Sequence, residues 1–174
     1  MAEVEARQDA AAPPGTPPRR TARRNRGHLP TGLPRIERII EPDSLSMQST
    51  LGKRNPLHST SLGKALLAFR DDDEIRERLS KMEMKKLAPR TITDPDELFA
   101  QLMQARAQGY AEEIEESEAG VRCMAVPVLD HAGKSVAAIS IAFPLIRFDE
   151  TRKSEYVRLL TAAGRAASTA LGYG

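Results

Sequence analysis

Two apolar, β-rich segments separated by a short polar turn constrain this chain more than any other feature of its sequence. The first reads VRCMAVPVL at residues 121–129, and the second reads KSVAAISIAF at residues 134–143. Between them lies Asp-His-Ala-Gly at 130–133, a composition typical of a turn. We therefore predict an antiparallel β-hairpin.

A two- or four-residue loop centred on residues 131 and 132 sets the predicted register of this hairpin. It places Cys123 opposite Ser140 and Ala125 opposite Ala138, with side chains alternating between two faces. One face, called the small face below, then carries only small side chains. Its members are Val121, Cys123, Ala125, Pro127, Val136, Ala138, Ser140 and Ala142.

The opposite surface, called the bulky face below, carries larger aliphatic side chains with Arg122 at its end. They are Met124, Val126, Val128, Ala137, Ile139 and Ile141. The bulky face has enough volume to pack on helices, whereas the small face leaves space above it. That space is either a ligand cavity or is filled by the Ala-rich last helix, and the residues favour neither alternative over the other. Pro127 has no N–H to donate, which predicts an edge strand or a bulge.

Helix signals occupy most of the remaining sequence. Ser59, Thr60 and Ser61 are capping residues for a helix that begins near residue 60, and an acidic second helix follows at 71–82. A third helix is predicted from the Asp94 cap to a stop at Gly109. The last helix spans about 149–171, with a predicted inner face of Tyr156, Leu159, Leu160, Ala163, Ala167 and Leu171. A further hairpin is predicted from strands at 36–41 and 45–50.

Charge divides the chain into two parts. Residues 1–35 hold seven arginines, three acidic residues and six prolines, a local net charge of +4, and residues 36–174 carry a net −2. Such a segment buries too little apolar surface to fold, so we predict a disordered basic tail before one domain at 36–174. The tail is either a solvated leader or a weak, nonspecific contact for nucleic acid.

Several classes of protein are excluded or disfavoured by composition. No stretch approaches the roughly 20 apolar residues of a membrane helix, and one cysteine cannot form an internal disulfide. A cytoplasmic location is the expected default. The three histidines show no metal-ligand spacing, so we expect no metal. Cys123 with His58 or His131 is a weak candidate for a nucleophile and base, because Cys123 lies within a strand and His131 in the turn.

Two further segments are candidates for ligand binding. The helix start at Ser59, Thr60 and Ser61 offers N–H groups and hydroxyls that attract a carboxylate or phosphate. Arg54 and His58 either add positive charge there or are solvated loop residues. The acidic segment GYAEEIEE at 109–116 is either part of the site or a solvated loop.

The order and spacing of several segments resemble the effector-binding domain of isocitrate lyase regulator (IclR) family transcription factors. They are NPLHSTSLGKALLAF (55–69), RTITD (90–94), GYAEEIEESEAGVRCMAVPVLD (109–130), GKSVAAISIAFP (133–144) and the closing ALG. The resemblance implies an α+β, GAF-like fold: an antiparallel sheet with helices packed on one face and an effector cavity on the other. It further implies a small-metabolite effector, often a carboxylate or aromatic acid, self-association as a dimer or tetramer, and no cofactor.

The resemblance also implies a set of effector-binding positions. They are Ser61, Leu62, Glu113, Cys123, Ser140 and Ala142. Ser61 and Leu62 stand where the family often has smaller residues, Glu113 where Asp is frequent, and Ala142 where a second Ser is frequent. The identity of the effector is therefore left open.

The family's regulators carry a winged helix-turn-helix before this domain, and residues 1–35 show no pattern for a recognition helix. We expect a sensor that lacks its DNA reader and that binds a small organic acid to control transcription of a catabolic operon. DNA would be bound only through such a reader, or weakly through the basic tail. The alternatives are a ligand-free module that pairs with full-length regulators through the 163–171 face, and, less favoured, a cysteine-dependent enzyme.

Overall fold

The computed structural model describes residues 55–174 and the backbone of two short strands upstream of them. The upstream strands are β1 (Arg24–Arg26) and β2 (Arg35–Ile39). The later elements are α1 (Ser61–Ala68), α2 (Asp72–Lys81), α3 (Pro95–Gln108), β3 (Ala111–Ile114), β4 (Val121–Leu129), β5 (Ser135–Pro144) and α4 (Lys153–Ala170). Two 3-10 turns, Leu145–Arg147 and Glu150–Arg152, join β5 to α4.

Local sequence signals place the helix ends. The Thr60 hydroxyl accepts a hydrogen bond from the Gly63 N–H at 3.1 Å, and the Asp94 carboxylate accepts one from the Glu97 N–H at 2.8 Å. Gly109 ends α3 in the left-handed conformation, with φ 83°, which a side chain would disfavour. The predicted starts of α1 and α3 and the predicted span of α2 are confirmed.

The strands form one sheet in the order β1-β2-β5-β4-β3. β4 is antiparallel to both β3 and β5, and β2 runs parallel to β5. The strand predicted at 36–41 is confirmed as β2, and its predicted partner at 45–50 lies outside the described residues. β2 pairs with β1 and β5 instead, and β1 is a strand that falls within the segment predicted to be a disordered tail.

The central hairpin is confirmed, but its register differs from the prediction by two residues. Cys123 lies opposite Ala142 rather than Ser140, and Ala125 lies opposite Ser140 rather than Ala138. Because side chains alternate with a period of two, an even shift leaves every residue on its predicted face. Cys123 and Ser140 therefore share the small face as diagonal neighbours.

The turn between β4 and β5 accounts for one residue of this shift, because Leu129 pairs with Ser135, and a slip in the pairing accounts for the other, because Val128 pairs with Ala137. The Asp130 carboxylate accepts hydrogen bonds from the backbone N–H groups of Ala132 at 2.9 Å and Lys134 at 3.0 Å. The Asp130 N–H also donates to the Lys134 carbonyl at 3.0 Å, so the loop has three residues, 131–133, and not the two or four that were predicted. The pairing also slips between Val128 and Leu129, which confirms the predicted bulge.

β4 lies between β3 and β5, but among the described residues Pro127 has a strand partner only in β5, so this part of the strand is an edge, as predicted. The Glu115 N–H donates to the Val121 carbonyl at 2.8 Å, so by alternation the odd-numbered residues of β4 bond toward β3. β3 begins only at Ala111, which pairs with Ala125. The Pro127 nitrogen therefore points to the side of β4 where β3 lies, but no residue of β3 stands opposite Pro127. The missing N–H of the proline thus costs the sheet no hydrogen bond.

Helices cover both faces of the sheet. α1 packs on the small face, where Leu62 and Leu66 join a buried cluster with Ala125 and Ala138. α4 packs on the bulky face, where Leu160 joins Met124 and Val126. The α+β fold is confirmed, but helices are not limited to one face of the sheet as the resemblance implied. The alternative that the last helix fills the small face is wrong.

The inner face of α4 also differs from the prediction. Leu160, Gly164 and Ser168 are buried, whereas Leu159 and Leu171 are each 51% exposed. A Cβ atom on Gly164 would lie 2.8 Å from Val126 Cγ2. Of the predicted inner residues, Leu160 is buried and Tyr156 packs against the same cluster. The prediction missed Gly164 and Ser168, because a search for large apolar residues passes over small and polar ones.

Arg122 anchors the end of the bulky face. Its guanidinium pairs with the carboxylates of Glu112 and Glu150 and stacks 3.7 Å from the centre of the Phe148 ring. Burial of a guanidinium requires such partners, because an unpaired buried charge is strongly destabilising. Arg122 thereby ties β4 to β3 and to the turn that precedes α4.

Candidate functional site

The pairing of β3, β4 and β5 brings four of the six predicted site residues together on the small face. Cys123 lies opposite Glu113 on one side and Ala142 on the other, with Ser140 diagonal to it. Cys123, Ser140 and Ala142 are half-buried, and Glu113 is only 1% exposed. These residues form a polar and small-residue floor at one end of the sheet.

The direction of α1 decides which end of that helix lies over the floor. Lys64, in the first half of α1, bonds Glu116, which is the second residue after the end of β3. Arg70, just past the helix, donates to the Ser135 carbonyl at the start of β5, at 2.6 Å. α1 therefore runs from the Cys123 end of the small face toward the β4–β5 turn. Its first residues, Ser61 and Leu62, lie at the same end as the floor.

The start of α1 has hydrogen-bonding capacity that the fold does not use. The first N–H groups of a helix have no intrahelical acceptor, and the Thr60 hydroxyl takes only the one from Gly63. Among the described residues, the Ser59 hydroxyl is the buried side-chain polar atom that has no hydrogen-bond partner. Ser61 beside it is 2% exposed. Such a set of donors suits an anion, which the helix dipole also favours.

The two alternatives for positive charge beside this helix start have different outcomes. Arg54 lies outside the described residues. His58 is not a solvated loop residue, because it is 2% exposed and its Nε2 bonds the Lys85 carbonyl at 2.9 Å.

The structure separates Cys123 from His131, one of the two histidines suggested as its catalytic base. His58 is engaged with Lys85. His131 lies in the turn after β4, and Cys123 is six residues before the end of that strand. Strands rise about 3.3 Å per residue, so the turn is about 20 Å from Cys123. His131 therefore does not form a nucleophile and base pair with Cys123.

The acidic segment is not a solvated loop at two of its positions, since Glu113 is 1% and Glu116 is 5% exposed. The backbone N–H of Glu116 donates to Glu113 Oε2 at 3.0 Å, and the Ser117 hydroxyl donates to Glu113 Oε1 at 2.7 Å. Glu113 is thus held by the loop that follows its own strand.

Lys64 is a buried residue of this region that the sequence analysis missed. Its Nζ donates to Glu116 Oε1 at 2.6 Å, to Glu116 Oε2 at 2.5 Å and to Gln101 Oε1 at 2.6 Å. Burial lowers the pKa of Lys64 and raises the pKa of Glu116, and the attraction between the two groups opposes both shifts. A lysine inside the otherwise apolar run SLGKALLA was the available signal for such a pair.

A cavity of 320 Å³ lies between α3 and the outer edge of β3. Its lining includes Lys64, Gln101, Tyr110, Glu113 and Glu116, so it borders the buried pair and the edge of the predicted site. Within residues 55–174, no group of three or more His, Cys, Asp or Glu side chains is arranged to hold a metal. In the same part of the chain, every helix is too short or too polar to cross a bilayer.

Comparison with known proteins agrees with this fold. The family described as bacterial transcriptional regulator IclR C-terminal matches residues 33–169. The HTH-type transcriptional regulator KdgR of Dickeya chrysanthemi is 49% identical over 138 residues, 79% of this chain and 45% of that protein. KdgR of Escherichia coli is 48% identical over 79% of this chain and 52% of that protein. The chain thus spans about half the length of these two relatives.

Two solved structures are similar to the whole domain. The C-terminal domain of E. coli transcriptional regulator KdgR is 50% identical, with a TM-score of 0.67 over 71% of this chain and 75% of that one. A double mutant of the inducer-binding domain of the transcription factor PobR from Acinetobacter, in complex with 3-hydroxybenzoic acid, is 30% identical, with a TM-score of 0.66 over 76% of this chain and 78% of that one. This chain belongs to the IclR family of bacterial transcriptional regulators and corresponds to their C-terminal domain.

Proposed function

We propose that this domain binds a small organic acid above the small face and thereby controls transcription of catabolic genes. The acid would lie between the start of α1, at Ser61 and Leu62, and a floor that comprises Glu113, Cys123, Ser140 and Ala142. In the whole regulator, a DNA-binding domain of the kind that the relatives' names indicate would carry the response to the operator.

The observation that carries this proposal is the direction of α1. Because the helix starts at the Cys123 end of the sheet, its free N–H groups and the unpartnered Ser59 hydroxyl lie at the end where the floor is half-buried. A carboxylate bound there gains hydrogen bonds and a favourable dipole. Apolar surroundings with a few placed donors are typical of small-molecule sites.

The PobR relative supports the choice of an acid, because that domain is described in complex with 3-hydroxybenzoic acid. Regulation requires more than binding, since a ligand shifts a conformational equilibrium only through different affinities for the two states. We therefore expect the acid to favour one arrangement of the whole regulator.

A thermal-shift panel of pyruvate, glyoxylate, sugar acids and hydroxybenzoates tests the proposal on the purified chain. We expect at least one of these acids to raise the unfolding temperature. The Ala142→Leu variant fills the floor and should lose that increase, whereas Ala162→Leu, at an exposed position of α4, should keep it. Failure of every acid to stabilise the wild-type domain would contradict the proposal.

A second candidate is pairing with other regulator chains through the outer face of α4. Leu159 and Leu171 are each 51% exposed on this helix, and Ala163 between them is exposed too. This surface would suit a dimer or tetramer contact, with or without a ligand. Sedimentation of the Leu159→Glu variant tests it: a self-associating wild type and a monomeric variant would favour pairing, and a monomeric wild type would contradict it.

A further inference from the structure

A buried ion pair connects α1 to the loop that follows β3. Lys64 is 1% exposed and holds both carboxylate oxygens of Glu116, at 2.6 and 2.5 Å. Gln101 of α3 accepts a third bond from the same Nζ at 2.6 Å. Because the pair is buried and each of its members is bonded, the position of α1 fixes the position of Glu116.

The same loop holds the carboxylate of Glu113. Glu116 donates its N–H to Glu113 Oε2, and Ser117 donates its hydroxyl to Glu113 Oε1. The Thr91 hydroxyl donates to the Glu116 carbonyl at 2.6 Å, which restrains the loop from its other side. The contacts therefore form one chain from Lys64 through Glu116 to Glu113.

We propose that Lys64 is a positioning residue for the small-face site: acting through Glu116, it sets the placement of the Glu113 carboxylate opposite Cys123. This inference rests on the function proposed above. Ser61 lies three residues before Lys64, so one helix would fix both sides of the site, its N–H groups directly and Glu113 through the ion pair.

The bonding of Glu113 also defines the chemistry that it offers to a ligand. A carboxylate has about four acceptor positions, and the Glu116 N–H, the Ser117 hydroxyl and a longer contact from the Ser117 N–H at 3.4 Å use most of them. The remaining capacity accepts a hydrogen and repels a second carboxylate. The site would therefore prefer a hydroxy acid to a dicarboxylic acid.

The test replaces the whole ion pair, because removing one member would leave an uncompensated buried charge and could unfold the domain. The probes are two hydroxy acids, 3-hydroxybenzoate and D-gluconate. In the variant Lys64→Met with Glu116→Leu, we expect both to bind at least about tenfold more weakly than in wild type, a loss of at least about 1.4 kcal/mol of binding free energy. The matched control is Lys81→Met with Glu77→Leu, an exposed pair on α2 at 2.6 Å, which should bind like wild type. Unchanged binding in the Lys64 variant would overturn the inference.

A second measurement needs no ligand. Cys123 is the single cysteine of the chain, so ultraviolet absorbance of the thiolate reports its pKa alone. Glu113→Gln should lower that pKa, because it removes a negative charge from the residue opposite the thiol. The lowering should be smaller when the Lys64–Glu116 pair is absent, since Glu113 is then no longer held in place.

The two measurements separate this inference from the proposed function. Equal lowering of the thiol pKa with and without the ion pair would show that the pair does not position Glu113, and would overturn the inference even if acids bind. A reduced lowering together with no binding of any acid to wild type would support the positioning and contradict the proposed function.

Discussion

The two faces of the central hairpin are packed in different ways. On the bulky face, α4 approaches closely at Gly164 and covers Met124 and Val126, which are at most 2% exposed. On the small face, α1 covers Ala125 and Ala138 but brings the charged Lys64 into the interior and leaves Cys123 and Ser140 half-buried.

This difference distinguishes apolar packing from the polar Cys123 end of the small face. Close apolar contact contributes to the free energy of unfolding in proportion to the area that it removes from water. A buried ion pair contributes little net stability, because desolvation offsets its attraction. Apolar packing on both faces therefore stabilises the domain, on the small face through the cluster around Ala125 and Ala138. Only the Cys123 end of the small face keeps polar groups in fixed positions where an acid could reach them.

The largest expected effect comes from truncating adjacent residues on opposite faces. Met124→Ala should lower the free energy of unfolding by about 2 to 5 kcal/mol, because it leaves a cavity in a packed core. Cys123→Ala should lower it by less than about 1 kcal/mol, because the half-buried thiol has little packing to lose. Urea denaturation of both variants measures the difference, and equal losses would contradict the division between the faces.

A smaller effect is expected from closing the contact between α4 and the sheet. A Cβ atom on Gly164 would lie 2.8 Å from Val126 Cγ2 and 3.0 Å from the Pro127 carbonyl oxygen. Gly164→Ala should therefore destabilise the domain by about 1 to 3 kcal/mol, although alanine is the better helix former.

The control for this substitution removes the opposing methyl groups. In a Val126→Ala background, Gly164→Ala should be less destabilising than in wild type, because part of the clash is gone. Simple additivity in thermal or urea denaturation would show that close packing against Val126 is not the cause.

The helix ends and the two strands of the hairpin were predictable because their signals are local. Thr60, Asp94 and Gly109 determine helix ends through bonds to residues within one turn. The division of residues between the two faces was also predictable, since it depends only on alternation along each strand. Even the misplaced register, two residues out, kept Cys123 and Ser140 on the same face.

The features that the sequence analysis missed depend on contacts between distant segments. Lys64 and Glu116 are separated by 52 positions, and neither residue's neighbours indicate that the other is its partner. The stripe of α4 that faces the sheet is selected by the closeness of Val126 and Pro127, which a helical pattern alone does not contain. Six candidate site positions came from the family resemblance, and their role in ligand binding remains a proposal.

The smallest expected effect is a pH dependence that distinguishes a buried ion pair from an exposed one. Burial raises the pKa of Glu116 above its ordinary value of 4.5, against the opposing attraction of Lys64. Just above pH 4.5 the folded domain then holds a proton that the unfolded chain has released, so this contribution to stability is greatest at low pH and falls as pH rises. The difference in free energy of unfolding between wild type and Glu116→Gln should therefore decrease from pH 4.5 toward neutrality.

The exposed Glu77 should show the opposite trend, because the hydrogen bond from Lys81 lowers the pKa of Glu77. The difference in free energy of unfolding between wild type and Glu77→Gln should therefore increase with pH as Glu77 ionises. Urea denaturation across this range measures both trends, and slopes of the same sign would show that the Lys64–Glu116 pair behaves like a surface pair.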